Sequence, residues 1–232
     1  RLLADVEVGS FLSGGVDSSL VSAIMQQESS QKIKTFSIGF EDKRYDESLY
    51  AKEVANYLQT EHYEYKFKAD DVLSLIESFD TYYDEPFGDA SSLPMMLLSK
   101  MTKDKVTVAL SGDGGDELFT GYERYFLTQN YYNKFVKLPQ LSRDVLSAMF
   151  KYSNVDKLEK ISYPLKNLTH LNLYSVLNTS VKPWELDTVF NKDFVHSIYS
   201  KEPSFLELQE IDMPFTTIDD FSRFDFYRYL PD

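Results

Sequence analysis

The stretch Val6-Glu7-Val8-Gly9-Ser10-Phe11-Leu12-Ser13-Gly14-Gly15-Val16-Asp17-Ser18-Ser19-Leu20 decides the fold. Residues 6–12 are apolar and β-prone and read as a strand; two glycines follow, and residues 18–27 carry Leu20, Val21, Ile24 and Met25 on one helical face. Strand, glycine turn and helix make half of a βαβ unit, the building block of a parallel sheet. The alternation continues outward. Residues 33–40 form a second strand, Asp46 can cap a helix running to residue 58, and residues 62–67 alternate as a third strand. Asp70 or Asp71 opens a further helix that Asp84-Glu85-Pro86 ends, and Ser91 or Ser92 caps the next, with Pro94 near its first turn. Residues 106–110 are a fourth strand, closed by Ser111-Gly112-Asp113-Gly114-Gly115-Asp116-Glu117. The expected class is α/β: an open, mostly parallel sheet with helices on both faces. From Tyr122 onward strand signals thin out, and aromatic and aliphatic residues recur at helical spacing over residues 118–150 and 171–205. The expected division is therefore an α/β core over residues 1–128 and a mainly helical part over residues 129–232.

Composition narrows the function. The formal charge of -13 over 232 residues sets the overall field against phosphates, which argues against a nucleic-acid partner or an anionic membrane surface. The absence of cysteine removes disulfides, thiolate metal sites and a cysteine nucleophile from these residues, in keeping with a cytoplasmic setting. No apolar run is long enough to span a bilayer. The chain starts at Arg1 and stops at Tyr229-Leu230-Pro231-Asp232, and so reads as a piece of something longer.

The chemistry concentrates in two Gly-rich loops, each directly after a strand, where an open parallel sheet binds its ligands. In the first, Gly14 and Gly15 let backbone approach an anion, Ser13, Ser18 and Ser19 offer hydroxyls, and the following helix adds its positive end. The Lys of a Walker A loop is missing, so the loop does not fit a kinase-like enzyme that stabilises transfer of a γ-phosphate. Asp17 would repel phosphate unless it held a cation such as Mg2+. The second loop brings Asp113, Asp116 and Glu117 among glycines. Taken singly, either loop reads better as a solvated turn, because Asp and Gly are ordinary turn formers; the two together, each at a strand end, favour a ligand site. His62, His170 and His196 have no ligand spacing and read as structural, and Trp184 and the many tyrosines read as helical core.

Ser13-Gly14-Gly15-Val16-Asp17-Ser18-Ser19 resembles the pyrophosphate loop of the N-type ATP pyrophosphatases. The run from Leu110 to Phe119 with Gly121-Tyr122, together with Lys34-Thr35-Phe36-Ser37-Ile38-Gly39-Phe40, Tyr83-Asp84-Glu85-Pro86-Phe87 and Tyr229-Leu230-Pro231-Asp232, is similar to the asparagine synthetase branch. The resemblance implies an adenine nucleotide alpha hydrolase-like fold and an ATP-dependent ligase. ATP activates the side-chain carboxylate of aspartate as an acyl-adenylate, releasing pyrophosphate, and ammonia then forms the amide. It assigns ATP to Leu12, Ser13, Gly14, Gly15, Asp17, Ser18, Ser19, Ile38, Ser111 and Gly112, and Mg2+ to Asp17 and Asp116. Catalysis falls to Asp113 and Glu85, and the amino-acid substrate to Asp89, Ser91 and Ser92. Asp113 stands where many relatives have the longer Glu. A helix stop and cap account for Asp89, Ser91 and Ser92 equally well. The resemblance further implies an N-terminal glutaminase domain supplying ammonia, admits a homodimer, and implies weak or no turnover by these residues alone. Other acceptors, a sugar acid or a β-lactam precursor, stay open, as does a non-catalytic ATP-binding module. A tRNA-modifying pyrophosphatase is disfavoured by 37 acidic against 24 basic residues.

Overall fold

The computed structural model describes residues 4–84, 89, 91–179, 185, 190–191 and 215–228. The chain forms two compact units, Arg1–Asp113 and Gly114–Asp232.

In the first unit, four parallel strands, β1 (Val8–Phe11), β2 (Lys34–Phe40), β3 (Glu61–Phe67) and β4 (Val108–Leu110), lie in the order β3-β2-β1-β4. Strands added successively on one side of β1 are followed by one on the other side, so the winding reverses between β1 and β4. That reversal opens a crevice at the strands' carboxyl ends. Register places Phe11 beside Phe36 and Ser10 beside Leu110, so the first and second Gly-rich loops leave neighbouring strands.

The connecting helices are α1 (Val16–Glu28), α2 (Ser48–Leu58), α3 (Ala69–Ile76), α4 (Phe79–Tyr82) and α5 (Ser92–Thr102). They cover both faces of the sheet. Buried Leu12 packs with Ala51 and Ala55 of α2, while buried Phe36 packs with Leu98 of α5 and Val106 and stacks on Tyr63 at 5.4 Å between centroids. The capping residue of α2 is Glu47, one residue later than Asp46, though the Asp46 carboxylate still accepts from the Ser48 amide at 3.1 Å. Two other expectations change. The single helix from Asp70 or Asp71 is instead two short ones, α3 and α4, parted after Ile76. The apolar face read on α1 is split as well: Met25 is buried, but Leu20 and Ile24 stand about half exposed at 49% and 53%.

The second unit contains α6 (Gly115–Phe119), α7 (Glu123–Phe135), α8 (Gln140–Lys151), α9 (Asp156–Ser162), α10 (His170–Asn178) and α11 (Ile218–Arg228). One core joins Ile161, Leu165 and Leu173, and another joins Tyr125, Tyr174 and Phe221. Trp184, His196, Glu85 to Phe87 and the closing Tyr229 to Asp232 lie outside the described residues. Among the described residues, no helix is long and apolar enough to cross a membrane.

Candidate active site

The first loop is built by its own hydroxyls. Gly14 turns the chain at φ +87°, and a Cβ there would stand 2.6 Å from the Ala51 nitrogen, so only glycine fits against α2. Ser13 and Ser18 bring their Oγ atoms to 2.9 Å, the Ser13 amide donates to Ser18 Oγ at 3.2 Å, and the Gly15 amide donates to Ser13 Oγ at 3.2 Å. Gly15 is the capping residue of α1 and no side chain caps it, so amides of the first helical turn remain open to an anionic ligand. The second loop rests on this turn: a Cβ at Gly112 would come within 2.8 Å of the Ser18 nitrogen. Beyond it, Asp113 accepts from the Ser111 hydroxyl at 2.8 Å.

These loops border a cleft of about 680 Å³ within the first unit. Of the residues assigned from sequence, Leu12, Ser13, Gly15, Asp17, Ser18, Ile38, Ser91, Ser111, Gly112 and Asp113 line it. Gly14 shapes the turn behind it. Ser19 sits on α1 with its hydroxyl buried and without a hydrogen-bond partner. Asp89 and Ser92 build the entry to α5: the Asp89 carboxylate accepts from the Ser91 amide at 2.8 Å, and the Ser92 hydroxyl donates to the Asp89 carbonyl at 2.7 Å. Asp116 belongs to α6 in the second unit, where the Gly121 amide donates to its carbonyl at 2.9 Å. Glu85 lies outside the described residues.

Sequence reading missed several wall residues. Phe36, Phe40, Met95 and Leu98 supply apolar wall, whereas Tyr45, Glu47 and Ser48 come from the entry to α2. The acidic-polar run Asp46-Glu47-Ser48 before a helix was the available signal for them. Tyr122 and Arg124 take parts inside the second unit: Tyr122 donates to Glu117 at 2.8 Å, and Arg124 pairs with buried Asp225 at 2.5 Å.

The described lining carries the carboxylates Asp17, Glu47 and Asp113 and no basic side chain. A polyanionic ligand must therefore be met by backbone amides and a cation. Among the described residues, no group of three or more His, Cys, Asp or Glu forms a ready metal cage. Mg2+ suits this sparse set, because it binds through one or two carboxylates and completes its shell with water and phosphate oxygens. Behind the wall, His62 is held below its ordinary pKa by burial, with Lys52 acting the same way and Glu64 opposing.

A parallel sheet with an open helix N-terminus and an acidic loop meeting at its switch point defines an α/β nucleotide-hydrolase-like protein. The chain belongs to the asparagine synthase family, whose profile matches residues 1–213. It is 44% identical over 175 residues to a putative glutamine-hydrolysing asparagine synthetase 2 of Methanocaldococcus jannaschii, covering 75% of this chain and 33% of that protein. It is 40% identical over 125 residues to the glutamine-hydrolysing asparagine synthetase 1 of Bacillus subtilis, covering 54% of this chain and 20% of that one. A probable asparagine synthetase of Dictyostelium discoideum is 36% identical over 140 residues, 53% of this chain and 24% of that one. The chain thus spans between a fifth and a third of the length of these relatives.

Proposed function

We propose that this chain is the ATP-dependent synthetase part of an asparagine-synthetase-type amidotransferase. The observation that carries this reading is the uncapped first turn of α1, flanked by Ser13, Ser18 and Gly112 and opening on a cleft that also holds Asp17 and Asp113. Open amides and hydroxyls suit the β and γ phosphates of ATP, leaving the α-phosphorus toward the acceptor. An oxygen of the aspartate side-chain carboxylate attacks that phosphorus, the bond to the bridging oxygen breaks, and pyrophosphate leaves with the electron pair. Ammonia, released from glutamine elsewhere in the full-length enzyme, then attacks the acyl carbon. The bond to the adenylate oxygen breaks, AMP departs, and the nitrogen gives up a proton to solvent.

The loop amides stabilise the charge that gathers on the leaving pyrophosphate. Asp17, at the helix end where phosphate would sit, would hold Mg2+, which neutralises pyrophosphate charge when bound. Asp113 accepts from the Ser111 hydroxyl at the mouth of the second loop, and on this reading it is the carboxylate that steadies the adenylate. Ser91 lies on the wall where the amino acid is expected.

Calorimetric titration with ATP, with and without Mg2+, tests this reading on the wild type and on Asp17→Asn. The expected result is Mg2+-dependent binding that the substitution weakens by at least about tenfold, the scale of one lost charge-assisted contact. Unchanged affinity in the variant would remove Asp17 from the site. Detection of AMP with a panel of carboxylic acids and ammonium then identifies the acceptor.

A further inference from the structure

Behind the cleft wall runs a chain of hydrogen bonds that the proposed chemistry does not use. Thr35 and Ser37 point to the same side of β2, and both are buried. On β3, His62 stands in register with Thr35 and spans both hydroxyls: Nδ1 is 3.0 Å from Thr35 Oγ1, and Nε2 is 3.1 Å from Ser37 Oγ. Thr35 Oγ1 in turn lies 2.8 Å from Thr60 Oγ1. The far end of this chain is Ser37, which borders the cleft beside Ile38.

Proton counting makes the chain directional. Each hydroxyl has one proton to give, and a neutral imidazole has one N–H and one bare nitrogen. If Nδ1 carries the proton, it donates toward Thr35, Thr35 donates to Thr60, and Ser37 donates inward to Nε2. Ser37 then shows the cleft only lone pairs. If Nε2 carries the proton, every bond reverses and the Ser37 proton is free for a ligand. Ser37 is only 2% exposed, so a ligand group that meets it faces little competition from water.

We propose that His62 is a positioning residue for the nucleotide cleft: by bonding Ser37 from behind, it sets whether the wall beside Ile38 offers a bound nucleotide an acceptor or a donor. This inference rests on the ATP reading of the cleft and adds a residue to it. Asn can replace the Nδ1 contact but not the Nε2 contact, and Gln the reverse. Both variants lose one of two bonds, so a purely structural role would affect them alike.

The test measures Mg-ATP affinity by calorimetry for the wild type, His62→Gln, His62→Asn, Ser37→Ala and the double variant Ser37→Ala/His62→Asn, with thermal unfolding as the fold control. The expected result is His62→Gln within about threefold of wild type, and His62→Asn and Ser37→Ala each weaker by about five- to tenfold, the scale of one hydrogen bond. The double variant should be no weaker than its weaker parent, because both changes break one link. Ser37→Ala removes a single oxygen and keeps the test decisive if His62→Asn folds poorly. Equal losses in the two His62 variants, or no loss in any variant, would overturn the inference alone. A wild type that binds no nucleotide would overturn the ATP reading and this inference with it.

Discussion

Gly14 shows how much of the site rests on single positions. Its φ of +87° is costly for any residue with a Cβ, and the added atom would meet Tyr50 and the Ala51 nitrogen, both at 2.6 Å. The obstacle is largely backbone of α2, which cannot swing aside as a side chain could. Gly14→Ala should therefore displace the Ser13–Ser18 turn, lower stability by about 2 kcal/mol and abolish Mg-ATP binding. Urea denaturation and calorimetry measure the two effects. A variant that loses stability but binds ATP normally would show that the turn tolerates displacement. Gly14 was legible in sequence as a glycine opening a turn. Its reason was not legible, because the α2 backbone that forbids a side chain is distant in sequence and becomes a neighbour only once β2 has been laid beside β1.

At the scale of elements, the strands were the most readable. The alternation in residues 62–67 and the β-rich runs before each glycine turn are local signals, and all four strands form where those signals lie. The order β3-β2-β1-β4 was not readable, since nothing local in residues 106–110 says on which side of β1 they pair. The cluster that ties the helical unit together was unreadable for the same reason. Asp225 of α11 is buried and accepts at one oxygen from Arg124 at 2.5 Å, Tyr125 at 2.9 Å and Tyr174 at 2.5 Å, joining α11 to α7 and α10 across many residues of sequence. Burial, reinforced by the Asp225 carboxylate, raises the pKa of both tyrosines and keeps them protonated as donors. Burial opposes the Arg124 charge, but the Asp225 carboxylate paired with it outweighs burial and the guanidinium stays protonated. Asp225→Ala would strand one cation and two hydroxyls at once, so a loss of about 3 kcal/mol is expected. Asp225→Asn should lose less, because its amide oxygen still accepts. Chemical denaturation of both variants checks the order, and equal losses would mean that the charge, rather than the acceptor, holds the helices.

Over the whole molecule, an acidic chain with a formal charge of -13 carries a cleft suited to an anion, so overall charge and local site point in opposite directions. Composition reported the first, and only the open helix end resolves the second. Acid stability is a whole-molecule property that the structure makes predictable, because among the described residues each unit holds one partly buried histidine. In the first unit, burial lowers the pKa of His62. In the second, burial lowers that of His170 against the pull of Asp220; its ring stacks on Tyr132 at 3.4 Å, and its Nε2 is buried without a partner. A histidine whose pKa is depressed by folding binds its proton more readily in the unfolded chain. Its contribution is therefore complete above the unfolded value of about 6.5 and is lost as pH falls toward the lower folded value. The carboxylates held low by hydrogen bonds, Asp46 by Ser48 and Asp220 by the Thr216 and Thr217 amides against its own burial, act in a more acidic range, below the ordinary 3.8. The interval from about pH 7.5 to 5 thus isolates the histidines. Unfolding free energy should decline across it, by at most about 1.4 kcal/mol per pH unit for each histidine. His170→Phe keeps the stacking on Tyr132 and removes the titration, so it should flatten the decline. Hydrogen exchange should place the recovered protection in α7 and α10 and leave β2 and β3 as acid-sensitive as before. A decline that His170→Phe leaves intact would mean that the buried Nε2 is protonated in the fold without cost.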